Sequence, residues 1–144
     1  DRGVNVSLGT DGCASNNNLD MFQETKTTAL LHKVESLDPT VLPAGQVLEM
    51  ATVNGAKALG LKSGVLRKGY NADVIIIDMN KPHLTPVYDV KSHLVYSASG
   101  SDVRTTIVDG RVLMEDYKVL CMDEQDVLDR AREAAHNLIA RVKF

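Results

Sequence analysis

The run Val4-Asn5-Val6-Ser7-Leu8 alternates apolar and polar side chains and ends at Gly9-Thr10-Asp11-Gly12, so Asp11 stands just past an expected strand, flanked by glycines. That is where α/β barrels place catalytic groups. A carboxylate there has two readings. It can accept hydrogen bonds from the amides of its own turn, or it can hold a metal ion through one oxygen and take a proton from the attacking water through the other. His32, His83, His93 and His136 form no HxH, HxxxH or HExxH pair, so spacing alone builds no complete metal site. Each reads as a surface or hydrogen-bonded histidine, with His83 after Pro82 and His93 before Leu94-Val95-Tyr96 in the least random contexts. Cys13 either lines the same cavity as Asp11 or fills a small buried space, and no basic neighbour activates it. Gly64, Gly69 and Gly100 make no GxGxxG or GK[ST] phosphate loop.

The elements that must position Asp11 follow from the pattern around it. The polar tract Ser15 to Asn18 offers helix caps, and Leu19, Phe22, Ala29, Leu30 and Val34 recur at helical spacing, which predicts a helix over 19–34. Pro39 ends it. Pro43 suits the first turn of a second helix whose stripe is Val47, Leu48, Ala51, Gly55, Ala58 and Leu59, with Gly60 as its stop. From residue 64 the pattern turns to strands. Asp73 to Asp78 encloses a β-branched run too short for a helix, and Ser92 to Ala98 fits either a helix or a strand. Asp109-Gly110 between two alternating runs predicts a two-residue hairpin, and 118–122 adds one more strand. Asp123 can cap a last helix with Val127, Leu128, Ala131, Ala135, Leu138 and Val142 on one stripe, expected to be core. Its acidic start (Asp123, Glu124, Asp126) and basic end (Arg141, Lys143) suit the helix dipole.

Composition narrows the function classes. The chain has 144 residues, 44% hydrophobic and 24% charged, with a formal net charge of −3. This is globular usage, and the slight acidity with no basic run argues against nucleic-acid and anionic-lipid partners. The longest apolar runs fall far short of a membrane span. Two distant cysteines, Cys13 and Cys121, without a CxxC pair fit a reducing cytoplasm. A start at Asp1 that leads directly into a strand is what a piece of a longer protein would show.

Leu8-Gly9-Thr10-Asp11-Gly12-Cys13-Ala14-Ser15-Asn16-Asn17 resembles the metal-dependent amidohydrolase superfamily, in the branch of S-adenosylhomocysteine and 5'-methylthioadenosine deaminases and triazine chlorohydrolases. Further matching stretches follow in the family's order: 50–60, 68–78, Ser92-His93-Leu94-Val95-Tyr96 and Val108-Asp109-Gly110-Arg111. The resemblance therefore spans nearly the whole chain.

The resemblance implies α/β architecture with a β-sandwich: the terminal part of a (β/α)8 barrel plus the carboxyl-terminal part of a composite sandwich. It implies that 1–62 is the end of the barrel, with Val4 to Leu8 its last strand, that 63–122 is the sandwich portion, and that 123–144 is a helix packing back on the barrel. A barrel takes about 250 residues, so the family's HxH pair, later histidines and glutamate would lie outside this chain. Asp11 matches the aspartate that contacts the metal and shuttles the proton of the attacking water to the leaving amine. Thr10, Ser15 and Asn16 match neighbouring positions that shape the pocket floor. The expected reaction is hydrolytic deamination of an adenosine-like small molecule, with one divalent ion, zinc or alternatively iron in such proteins, that these residues alone should not retain. Assembly into a homo-oligomer is expected. The alternatives are a chlorohydrolase, another nucleobase deaminase, or a non-catalytic fragment that self-associates through an exposed strand edge.

Overall fold

A computed structural model describes residues 2–141, and Val142 and Lys143, placed above on the last helix, lie outside the described residues. Four helices come first: α1 (Cys13–Asn16), α2 (Met21–Ser36), α3 (Ala44–Ala51) and α4 (Val53–Ala58). β1 (Val74–Ile77) follows, then α5 (Val90–Tyr96), β2 (Val103–Val108), β3 (Arg111–Glu115), β4 (Lys118–Val119) and α6 (Glu124–Ile139). The strands form one antiparallel sheet in chain order, β1-β2-β3-β4.

The helical layer is held by contact between α2, α3 and α5, whose Ala29, Val47 and Val95 are fully buried together. Leu8, Leu42, Ala44, Leu48 and Tyr96 pack around them. Leu8 explains the fate of the first expected strand. Residues 4–8 form no ladder, because among the described residues no strand lies beside them. Their polar groups are met by helices instead. Leu8 N–H donates to the Met50 carbonyl at 3.0 Å, Asn5 Nδ2 to the Asn54 carbonyl at 2.9 Å, and Asn54 Nδ2 to the Val6 carbonyl at 2.8 Å.

The second expected helix is broken into α3 and α4 at Thr52, whose φ of −131° and ψ of −84° are not helical. Thr52 Oγ1 bonds back to the Leu48 carbonyl at 2.6 Å, a contact that bends helices. The break also accommodates Gly64, where an added Cβ would lie 2.9 Å from the Thr52 carbonyl group and φ is +82°. Only glycine fits there.

The sheet confirms the Asp109-Gly110 hairpin: Val108 pairs with Arg111, and the two turn residues have φ of 49° and 75°. A second two-residue turn, Asp116-Tyr117 with φ of 48° and 64°, joins β3 to β4. Nothing in the sequence of that dipeptide advertises it, since Tyr is a poor left-handed residue. Tertiary bonds hold it instead. Tyr117 N–H donates to the Arg104 carbonyl at 3.0 Å, its hydroxyl donates to Asp78 Oδ2 at 2.9 Å, and Lys81 Nζ lies 5.0 Å from its ring centre. β4 is correspondingly shorter than the expected 118–122. The ambiguous 92–98 segment is helical as far as Tyr96, in α5, which Asp89 caps by accepting from Lys91 N–H.

Among the described residues the sheet is single rather than one of two packed sheets, and Ile75 and Ile76, which point to opposite faces, are each about half exposed. α6 carries its expected cap, Asp123 accepting from Asp126 N–H at 3.1 Å. Its stripe, expected to be core, is exposed from Val127 to Leu138, because no described element covers it.

One buried carboxylate fixes the entry to β2. Asp102 is 2% exposed. Its oxygens lie 3.0 and 3.1 Å from His83 Nε2, and Oδ2 accepts from Ser99 N–H at 2.9 Å and Ser99 Oγ at 3.1 Å. Burial pushes the carboxyl up, but the His83 and Ser99 hydrogen bonds together outweigh it and hold it below the ordinary range. The contribution to stability is therefore full above about pH 4 and is lost as pH falls below the unfolded value. Asp102→Ala should lower the unfolding free energy at pH 7 by about 1–3 kcal/mol, the cost of a stranded buried amide. It should also flatten the loss of stability as pH falls below about 4, and urea unfolding followed by circular dichroism at pH 7 and in acid checks both.

Candidate active-site loop

The loop after residues 4–8 is built by its own short side chains. Asp11 has a φ of 58° and Asn17 a φ of 61°, a conformation that costs an L-residue roughly 1–2 kcal/mol and that Asp and Asn reach by bonding locally. Between them α1 is a single turn, with Ser15 and Asn16 N–H groups donating to the Gly12 carbonyl at 2.9 and 3.0 Å. Asp11 Oδ1 accepts from Gly12 N–H at 2.7 Å, and Thr10 Oγ1 donates to the Asp11 carbonyl at 3.2 Å. The other carboxylate oxygen has no hydrogen-bond partner among the described residues. One oxygen thus serves the turn, as the first reading of Asp11 expects, and the second has no such role among the described residues.

Asn16 ties the loop to the helical layer. Its Nδ2 donates to the Thr10 carbonyl at 2.9 Å and to Glu24 Oε1 at 2.7 Å. Glu24 lies in the first turn of α2, whose start is fixed by Asp20. Asp20 Oδ1 caps the helix by accepting from Phe22 N–H at 2.8 Å, and Oδ2 accepts from Gly100 N–H at 2.9 Å. A cap at this point is legible in the sequence. Glu24 is not, because periodicity says which face a residue occupies and not which loop comes to meet it.

The other candidates do not converge on Asp11. His83 is engaged with Asp102, and His93 donates from Nδ1 to the Asp89 carbonyl at 3.0 Å. His32 and His136 are exposed on α2 and α6. Cys13 is exposed, which corrects its reading as buried filler, since a single-turn helix on the surface buries nothing. Among the described residues no group of three His, Cys, Asp or Glu side chains could hold a metal ion. One carboxylate does not close a site that needs about three protein ligands and a water, so the donors present fit a divalent ion only as one member of a larger set. Asp11 also lies outside the 420 Å³ groove lined by Asp20, Gln23, Lys26 and Ser99. Among the described residues no helix is long and apolar enough to cross a membrane.

The amidohydrolase family profile matches residues 1–113. The chain is 69% identical over 142 residues to the 5'-deoxyadenosine deaminase of Methanosarcina mazei, covering 99% of this chain and 33% of that protein. It is 68% identical over 117 residues to the 5-methylthioadenosine/S-adenosylhomocysteine deaminase of Thermococcus onnurineus, covering 81% and 28%. The crystal structure of an adenosine deaminase from Xanthomonas campestris with bound zinc superposes with a TM-score of 0.92 at 35% identity, over 95% of this chain and 32% of that one. The chain thus spans about a third of the length of these proteins.

Asp20→Ala removes a helix cap and the acceptor for Gly100. It should destabilise the protein by about 1–2 kcal/mol, and amide exchange should rise at Phe22 and Gly100 together, which a hydrogen-exchange experiment reads directly.

Proposed function

This chain belongs to the amidohydrolase family, and from that premise we propose that it forms the carboxyl-terminal third of a metal-dependent deaminase acting on an adenosine-type nucleoside, of the 5'-deoxyadenosine or methylthioadenosine/S-adenosylhomocysteine class. The observation that carries the reading is 69% identity across 99% of the chain to a protein of that activity. It favours deamination over dechlorination or over a purely self-associating role.

Asp11 is the residue on which the chemistry rests. A divalent ion, zinc by the likeness to the zinc-bound structure, would supply Lewis acidity to the attacking water, with the ligands beyond Asp11 coming from outside this chain. Gly12 N–H pins Oδ1 and so orients the carboxylate. Oδ2 is left to take a proton from water as its oxygen bonds to the ring carbon bearing the amino group. The same oxygen then delivers that proton to the amino nitrogen. The carbon–nitrogen bond breaks and ammonia leaves.

The remaining architecture belongs to the same proposal. Residues 1–62 would close a (β/α)8 barrel, 63–122 would supply one part of a composite sandwich, and α6 would pack back on the barrel. The exposed Ile75, Ile76, Val127 and Leu138 support this, since each offers apolar surface that such neighbours would cover. The edge of β1, unpaired among the described residues, favours self-association into a homo-oligomer. Two free thiols, Cys13 and Cys121, support a cytoplasmic setting.

In the full-length protein, Asp11→Asn should lower kcat for ammonia release from 5'-deoxyadenosine by about 10²–10⁴-fold, the usual worth of a positioned acid–base group. Chelation should abolish turnover and zinc should restore it, as a coupled assay for ammonia would record. Full activity of Asp11→Asn would remove the basis of the reading.

A further inference from the structure

We propose that Glu24 is a positioning residue for Asp11, acting through the Asn16 side chain and the Thr10 carbonyl; this rests on reading Asp11 as the proton carrier. Asn16 Nδ2 has two hydrogens and two acceptors, the Thr10 carbonyl at 2.9 Å and Glu24 Oε1 at 2.7 Å. Both donors are used, so the amide plane is fixed from two sides. The carbonyl it holds belongs to the peptide joining Thr10 to Asp11, the plane from which the Asp11 φ of 58° is measured. Holding that plane favours the left-handed conformation over the right-handed one that an L-residue prefers. The direction of the carboxylate follows, because Oδ1 is tied one residue on, at Gly12 N–H.

Glu24 is suited to this role because it is carried on a braced element. Its own N–H donates to the Asp20 carbonyl at 3.2 Å, and Asp20 is bonded both to α2 and to Gly100. The loop thus takes its position from a helix end that the β2 entry also holds, and a site referenced to a rigid helix is more accurate than one referenced to a loop. Asn16 and Glu24 are both half-buried, and the bond between them is charge-assisted, which strengthens it.

A merely structural Glu24, favourable at a helix start, would affect stability and leave turnover alone. The test uses the full-length protein with 5'-deoxyadenosine as substrate. Glu24→Gln keeps an oxygen acceptor and should stay within about threefold of wild type, whereas Glu24→Ala should lower kcat about ten- to hundredfold with KM changed less than about threefold. The double variant Asn16→Ala/Glu24→Ala should be no worse than Asn16→Ala alone within about twofold, since both residues act through one carbonyl. Independently of activity, amide exchange at residues 10–17 should rise at least about tenfold in Glu24→Ala while the last turns of α2 are unchanged. Unchanged exchange, raised exchange with wild-type kcat, or losses that multiply in the double variant would each overturn the proposal. If the wild-type protein deaminates no adenosine derivative, the reading of Asp11 falls by itself. The exchange arm then decides whether Glu24 sets this loop.

Discussion

The Asp20 carboxylate joins parts of the chain that lie 80 residues apart, accepting from Phe22 N–H with one oxygen and Gly100 N–H with the other. An aspartate is suited to this because an ionised carboxylate accepts on both oxygens and satisfies an orphan amide at the helix start. The helix it caps carries Glu24 toward the Asp11 loop and Ala29 into the core. The turn it anchors leads through Asp102 into β2, on which β1 and β3 register. The helical layer, the sheet and the candidate site thus share one point of reference, made of short-range bonds to a single side chain.

Around that point the chain buries little. The cluster of Ala29, Val47 and Val95 is small, while the half-exposed isoleucines of β1 and the stripe of α6 present apolar side chains outward. Hydrophobic surface contributes about 25 cal/mol per Å² when it leaves water, so covering these faces would add to the stability that the described core supplies. Polar groups follow a stricter rule. Among the described residues every buried side-chain nitrogen and oxygen has a partner, which is why Asp102 and Thr25 can be buried in so thin a core.

Much of this was legible in the sequence, and the misses share a cause. Local chemistry identified the Asp109-Gly110 hairpin, the Asp123 cap and the helix beginning near residue 20. The resemblance carried by residues 8–17 pointed to the amidohydrolase family. Three features depended on partners far along the chain. Residues 4–8 had the alternation of a strand but, among the described residues, no strand to pair with. Thr52 broke a helix where Gly64 comes against it. Tyr117 took a left-handed turn because Arg104, Asp78 and Lys81 hold it. Within the candidate site, Asp11 stood out as a candidate from its place after an alternating run, whereas Glu24 did not, since it meets the loop only when α2 folds against it.

The account turns on one geometric statement, that the turn fixes Asp11 with one oxygen engaged and the other free for the reacting centre. Anomalous diffraction at the zinc edge from crystals of the full-length protein would test it most directly. The account predicts an ion with Asp11 Oδ1 about 2.0–2.2 Å away, an ordinary zinc–carboxylate distance, while Oδ1 still accepts from the Gly12 amide, Oδ2 stays off the ion for the proton and Asp11 keeps its positive φ. An ion whose ligands omit Asp11, with both carboxylate oxygens turned to loop amides, would contradict it.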